Sequence, residues 1–314
     1  MPAKRLFVVW EPVPHSIRVN RHLFSRAGSA TTAFFAVVSN ELKPSPIYAL
    51  AMRAFRVAYD GRPFYGFQRQ PDVPTIEDAM FDALRALGVA DTVPEGYAAA
   101  GRTDAGVSAL SQTVAFECPD WLTPSAFNSE LPKSIRAWAS AEVVPEFHAT
   151  HDAYYREYIY HCYAPTANLA LAKDASGRLS GENDFHNLTP DEDGTVRDLD
   201  IHVLQDGDYL VFTLRAGGFA RNLVRRVVSL VHGIAVGDAP MEKVERVLSA
   251  KPLQGPEGVP PAPAHPLLLA DVGYDCEFEI EEDAAESAES VFRDMRIEQR
   301  TRSRVAREIT SHLE

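Results

Sequence analysis

Cysteine is scarce in this chain: Cys118, Cys162 and Cys276 are the only three in 314 residues. They lie far apart and form neither a CxxC pair nor a Cys/His cluster. That excludes a zinc ribbon and a disulfide framework, and it points to a reduced, cytoplasmic setting with no metal. Long apolar runs are missing too. Nothing approaches the roughly 18 residues needed to cross a membrane. Lys4-Arg5 followed by Leu6 to Trp10 starts like a signal peptide, but Glu11-Pro12 cuts the apolar stretch short. Positive charge is in short supply, with 31 Lys and Arg against 44 Asp and Glu and a net charge of −13. A nucleic-acid binder usually carries a basic footprint, so the chain as a whole does not read as one. The balance fits either a cytosol of high ionic strength or an ordinary acidic cytosolic protein. Tandem repeats are absent. What is present is a 46% hydrophobic content, which excludes a disordered chain, and enough length for one large domain or two medium ones.

The charge is unevenly spread. Residues 1–51 carry six Lys or Arg against two Glu, whereas residues 52–314 carry 25 basic against 42 acidic side chains. The first 51 residues show no sustained period apart from an apolar patch from Ala30 to Val38. They are expected to lie outside the fold, as a disordered leader or an upstream extension, with the folded protein starting at Met52. From there Phe55, Val57 and Tyr59 alternate on one face of a strand that Asp60-Gly61 ends. Thr75-Ile76-Glu77-Asp78 opens a helix carrying Ile76, Met80, Leu84 and Leu87, closed by Gly88. Strands are expected over 112–117 and 156–163, and a hairpin over 199–203 and 209–214 turns at Asp206-Gly207. An apolar helix spans 219–236, and Pro240 opens a shorter one ending near Ala250. A Pro-rich loop over 256–266 leads into a strand over 267–274, and a charged helix over 287–309 closes the chain. The strand–helix–strand rhythm recurs once on either side of about residue 155. The pattern is α+β with a largely antiparallel sheet.

Four segments concentrate polar chemistry. Gly101-Arg102-Thr103-Asp104-Ala105-Gly106 brackets an Arg and an Asp between glycines, on a loop before a strand. Glycines allow a tight backbone path near a ligand, although an Asp capping a turn is the plainer reading. The stretch from Tyr59 to Gln70 mixes aromatics, amides and arginines, the components of base stacking and phosphate contact, or else a turn over a core. Tyr158, within Tyr155-Arg156-Glu157-Tyr158, is a stacking candidate or a core tyrosine. Arg221, Arg225 and Arg226 lie on an apolar helix, where a buried Arg needs a partner and an edge Arg does not.

Taken in order, these segments resemble the TruA family of tRNA pseudouridine synthases. The Gly101 to Val107 segment is similar to that family's active-site signature. Tyr59-Asp60-Gly61 with Gly66-Phe67-Gln68-Arg69-Gln70-Pro71 resembles its first-strand motif. Asn128, Leu131-Pro132, Phe147-His148-Ala149, Arg156 with Tyr158 and Tyr160, Gly181 to Phe185, Phe219 with Val224-Arg225, and Leu267, Leu269 and Tyr274 continue the match. The likeness runs from about Met52 to Tyr274. It departs at Ser108, where the family commonly has His, at Pro266 in place of a Gly, and at Leu268 in place of a Tyr.

The resemblance implies a pseudouridine synthase fold, with two α/β subdomains and mostly antiparallel sheets flanking a central RNA-binding cleft. Residues 52–155 would carry the signature loop, 156–276 would complete the site, and 277–314 would form an acidic-to-charged helical tail. It further implies isomerisation of uridine at nucleotides 38, 39 or 40 of the tRNA anticodon arm, without cofactor or metal, by a homodimer. Asp104 would be the essential carboxylate, paired with Arg225, which explains an arginine on an apolar helix. Tyr158 would lie against the uracil and serve proton transfer at C5. Leu267 would wall the base pocket and Arg102 would hold the flipped nucleotide, with Tyr59, Gln68 and Arg69 also contacting substrate. Phosphate contacts are expected from Arg53, Arg56, Arg62, Arg69, Arg136 and Arg221. Competing readings are a tRNA-binding module without activity, which needs the arginines but not Asp104 and Arg225, and a hydrolase that pairs Asp104 with a second carboxylate.

Overall fold

The computed structural model of the protein describes residues 50–253 and 257–313. The leader expected over residues 1–49 lies outside them. The first strand, β1 (Leu50–Tyr59), begins two residues before Met52. Leu50 and Ala51, assigned from sequence to the leader, pair with Pro119 and Cys118 and belong to the sheet.

In chain order the remaining elements of the first half are α1 (Ile76–Ala86), β2 (Ala98–Ala99), β3 (Ser108–Pro119), α2 (Pro124–Asn128) and β4 (Ile135–Glu142). The second half contributes β5 (Tyr155–Tyr163), α3 (Leu169–Leu179), β6 (Gly181–Asp184), β7 (Val196–Asp206), β8 (Tyr209–Ala216), α4 (Leu223–Ala235), α5 (Glu242–Val247) and β9 (Leu267–Gly273). A short edge strand, β10 (Glu279–Ile280), and a 30-residue helix, α6 (Glu282–Ser311), end the described chain.

Among the described residues all ten strands join one sheet in the order β10-β4-β1-β3-β9-β5-β8-β7-β6, with β2 off the path on β3. Every pairing is antiparallel except β3 with β9. The two expected sheets are thus one, because β9 returns from the end of the second half to lie between β3 and β5. β9 is the central joint: Leu269 pairs with Ala109 on one side and Tyr158 on the other.

Each half packs its own helices on the sheet. Thr75 caps α1 by accepting a hydrogen bond from the Asp78 amide at 3.2 Å. The helix then lays Ile76, Met80 and Leu84 against Phe55, Val57, Phe116 and Phe127. Phe55 and Phe116 stack at 5.2 Å between ring centres; burying one such ring contributes about 2–3 kcal/mol. In the second half Leu223, Val227, Val228, Leu230, Val231 and Ile234 of α4 join Leu210, Phe212 and Leu214 of β8. This helix starts four residues later than the sequence predicts. Asn222 sits in the left-handed region, φ 61°, and interrupts the path from Phe219.

Candidate active site

A cleft of about 1190 Å³ opens over the middle of the sheet, where the loop before β3 faces the start of α4. The loop is held from three sides. The Ala100 amide donates to Thr113 O at 2.8 Å, Gln112 Nε2 donates to Gly101 O at 2.8 Å, and the Phe67 amide donates to Thr103 O at 3.0 Å. Gly106, φ 84°, lets the chain turn after Asp104, and the Val107 amide closes back on Asp104 O at 3.1 Å. Gly61 abuts this turn so closely that a Cβ there would overlap the Val107 carbonyl, so a glycine is required by space. Gln112 is fully buried and spends its amide on this loop; sequence reading missed it because a buried Gln in a strand looks like any core-facing polar residue.

Asp104 and Arg225, 121 residues apart, meet across the cleft. Arg225 Nη1 donates to Asp104 Oδ2 at 2.8 Å and to Asn222 Oδ1 at 3.1 Å, while Nε donates to Ala262 O at 2.6 Å. The arginine side chain is 16% exposed and the carboxylate 35%, so Asp104 is the more open of the two to solvent and to any ligand. Arg225 sits in the first turn of α4, where the helix dipole disfavours a cation. The facing carboxylate offsets that, and three acceptors fix the guanidinium plane.

Tyr158 and Leu267 complete the floor of the cleft. Tyr158 stands edge-on to Phe219 at 5.2 Å between ring centres. Burial pushes its hydroxyl up to about 12, so at neutral pH it holds its proton and can donate or relay it. Leu267, 5% exposed at the start of β9, presents an apolar wall. Gln68 and Arg102 are exposed on the cleft lining. Among the described residues Arg102 has no acidic partner, which leaves its guanidinium available to an anion.

Two residues expected to touch substrate do not line the cleft. Tyr59 is 1% exposed; its ring packs in the core of the first half. Its hydroxyl meets Thr103 Oγ1 at 2.8 Å. It braces the Asp104 loop from beneath, because the alternation of β1 turns it to the helix-covered face. Arg69 is turned to α1, where Nε donates to Asp78 Oδ1 at 2.6 Å and the guanidinium lies 5.4 Å from the Phe81 ring.

The expected phosphate contacts fare similarly. Arg53, Arg56 and Arg136 are buried in strands and spend their guanidiniums on carbonyls, such as Leu122 O at 3.0 Å, Val272 O at 2.7 Å and Pro132 O at 2.8 Å. Arg62 is clamped to Asp60 through Nε and Nη2 at 2.8 Å each. Only Arg221 of the expected set lines the cleft, and Asp191 holds it at 3.3 Å. Asp191 was illegible in the sequence, being 30 residues from its partner. Arg156 also faces the cleft, yet it is 8% exposed and donates to Ala100 O, Thr150 O, Ala153 O and Gly217 O. It ties the two halves together; burial lowers its pKa.

The other acids lining the cleft are already engaged. Glu77 accepts from the Arg69 amide at 2.9 Å and Asp191 from the Arg221 amide at 2.8 Å, so a carboxylate pair at Asp104 has no support. Among the described residues no group of His, Cys, Asp and Glu is arranged to hold a metal, and no helix is long and apolar enough to cross a membrane.

Comparison with known proteins gives the family. A family described as tRNA pseudouridine synthase matches residues 175–275. The tRNA pseudouridine synthase A of Haloarcula marismortui is 54% identical over 275 residues, covering 83% of this chain and all of that protein. Its namesake in Halobacterium salinarum is 55% identical over 264 residues, covering 82% of this chain and 98% of the relative. The Methanothrix thermoacetophila protein of the same name is 40% identical over 235 residues, 73% of this chain and 85% of the relative. At such identity over nearly the whole length of its relatives, the chain belongs to the TruA family of tRNA pseudouridine synthases.

Proposed function

We propose that this enzyme isomerises uridine to pseudouridine in the anticodon arm of tRNA, at one or more of nucleotides 38, 39 and 40, with Asp104 as the reacting carboxylate. The observation that carries the reading is the Asp104–Arg225 contact of 2.8 Å at the floor of a cleft large enough for a flipped nucleotide. The reaction breaks the N1–C1′ bond, turns the uracil and joins C5 to C1′. The C5 proton is lost and N1 ends protonated, so the product is an isomer. The Asp104 carboxylate meets the electron-poor centre created on the way, by covalent or charge stabilisation. Arg225 fixes the oxygen not offered to substrate.

Tyr158 lies in the same cleft with a protonated hydroxyl and a ring face for the uracil, which supports a part in moving the C5 proton. Leu267 excludes water from one side of the base. Arg102 and Gln68 are placed to hold the extruded nucleotide and its phosphate. No step requires a cofactor. The active unit is proposed as a homodimer acting in the cytoplasm, with each tRNA touching both subunits.

The test is to incubate unmodified tRNA transcripts with the protein and map pseudouridine by nucleotide. Product confined to 38–40 supports the reading. Product elsewhere in the tRNA would refute the anticodon assignment, and tRNA binding without any product would favour the inactive binding module.

A further inference from the structure

A cleft with so few free cations leaves the grip on a polyanion unexplained. Of its arginines, Arg225 and Arg221 are held by acids and Arg156 by carbonyls, in a chain of net charge −13. Arg102 alone is left free there among the described residues, and a longer row of free positive charge lies on α6. The approach to the helix and its first turns are acidic: from Glu277 to Glu289 there are seven acids and no Lys or Arg. This part docks against the sheet edge and buries Ala284 and Ala288. From Arg293 the composition inverts, with six arginines before Glu308 against Asp294 and Glu298.

Their spacing sets a pattern. At 3.6 residues per turn, Arg293, Arg296, Arg300, Arg304 and Arg307 fall within an arc of about 80°. Arg302 points the other way and is paired with Glu298 at 2.6 Å, while Arg293 is paired with Glu289. Arg296, Arg300, Arg304 and Arg307 are exposed and have no acidic partner among the described residues. The four form a ladder with steps of roughly 4–6 Å along the axis. A helix so polar, exposed on all sides from Arg300 onward, buries no core of its own and calls for another partner.

The stripe is also in the right place. β10 pairs with β4 at Ser140 and Ala139, and Glu281 accepts from the Ser125 amide at 3.1 Å, which fixes where α6 starts. From there it passes Arg62, within electrostatic reach of Glu298. Arg62 follows Gly61, whose amide donates to Ser108 Oγ at 3.1 Å, just after the Asp104 loop. The exposed end of α6 therefore leaves the body at the end of the sheet where that loop sits.

We propose that the arginine stripe of α6 grips the phosphate backbone of the tRNA whose target loop occupies the cleft. This rests on the tRNA reading above. Guanidinium pairs bidentately with phosphate, and such contacts set register and affinity without reading sequence. The opposite face carries Val305, Ile309 and Leu313, all exposed, which makes a second copy of the chain the competing occupant.

The test compares the full-length wild type with Arg296, Arg300, Arg304 and Arg307 all changed to Gln, the same four changed to Lys, and Arg302→Gln. For each, the tRNA-transcript Kd is measured across a salt series, with kcat, KM and the mass by sedimentation. Expected for the Gln variant are a Kd and KM raised at least about tenfold at low salt, a salt slope shallower by about 3, and kcat within about twofold. The Lys variant should keep most of the affinity and Arg302→Gln all of it. A Gln variant with wild-type Kd and slope overturns the proposal, as does a change in mass at unchanged Kd. A wild type that neither binds nor modifies the transcript overturns the tRNA reading itself, a separate failure.

Discussion

The two halves of the sheet bring unlike things to the cleft. β1, β3 and α1 build an aromatic-rich wall, and its contribution to the central charge pair is Asp104. β5, the loop after β8 and α4 bring Tyr158, Phe219 and Arg225 to the cleft beside that carboxylate. The charge pair at the centre of the cleft takes one member from each half, and β9 and Arg156 fix their separation. A site divided this way depends on the joint between halves as much as on the residues that react.

The division is sharpest at Arg225. Arg225→Met removes the second half's hold on Asp104 and leaves a half-buried carboxylate unpaired; we expect single-turnover rates to fall by about 10²–10³. Arg225→Lys keeps the charge but cannot also reach Asn222 and Ala262, and should recover only part of that loss. A rate close to that of the wild type in the Met variant would break the idea that the halves act through this contact.

Tyr158→Phe keeps the ring and removes the proton, so kcat should drop by about 10² with KM little changed. A fall confined to KM would reduce Tyr158 to a stacking surface. On the first half, Tyr59→Phe deletes the hydroxyl contact with Thr103. It should cost about 1 kcal/mol in denaturant unfolding and lower kcat only a few-fold, because it acts through the loop.

The smallest effect is alkaline. Burial pushes Tyr160, on β5, and Tyr274, just past β9, both up to about 12. The folded state therefore keeps protons that the unfolded chain sheds near pH 10. Stability should hold up to about pH 10 and decline as pH rises towards about 12. Tyr160→Phe should make that decline shallower, as read by urea titrations at each pH.

Much of this was legible in the sequence. The period-two run of Phe55, Val57 and Tyr59 marks β1, and Ile76, Met80 and Leu84 mark α1, since burial of one face leaves a periodic trace. β4 left only a faint one: in Arg136-Ala137-Trp138-Ala139-Ser140-Ala141 the buried face is marked by alanines alone, whose small apolar side chains make the alternation weak. The insertion of β9 between β3 and β5 is a long-range pairing that no local pattern encodes. The loop of Asp104 and the helix of Arg225 stood out because glycines around charge, and charge on an apolar helix, both conflict with packing alone. The expected phosphate contacts on β1 and β4 fail for a physical reason. Arg53, Arg56 and Arg136 are buried, although Arg56 and Arg136 point away from the face of Phe55, Val57 and Ala137. Backbone carbonyls take up their guanidiniums, and sequence does not say that both faces of these strands are covered.

The most direct measurement is pseudouridine formation in an unmodified tRNA transcript by the wild type and by Asp104→Asn, with tRNA affinity measured for both. The account predicts product at the anticodon arm with the wild type, none with the variant, and similar affinity. Substantial product from Asp104→Asn would contradict it.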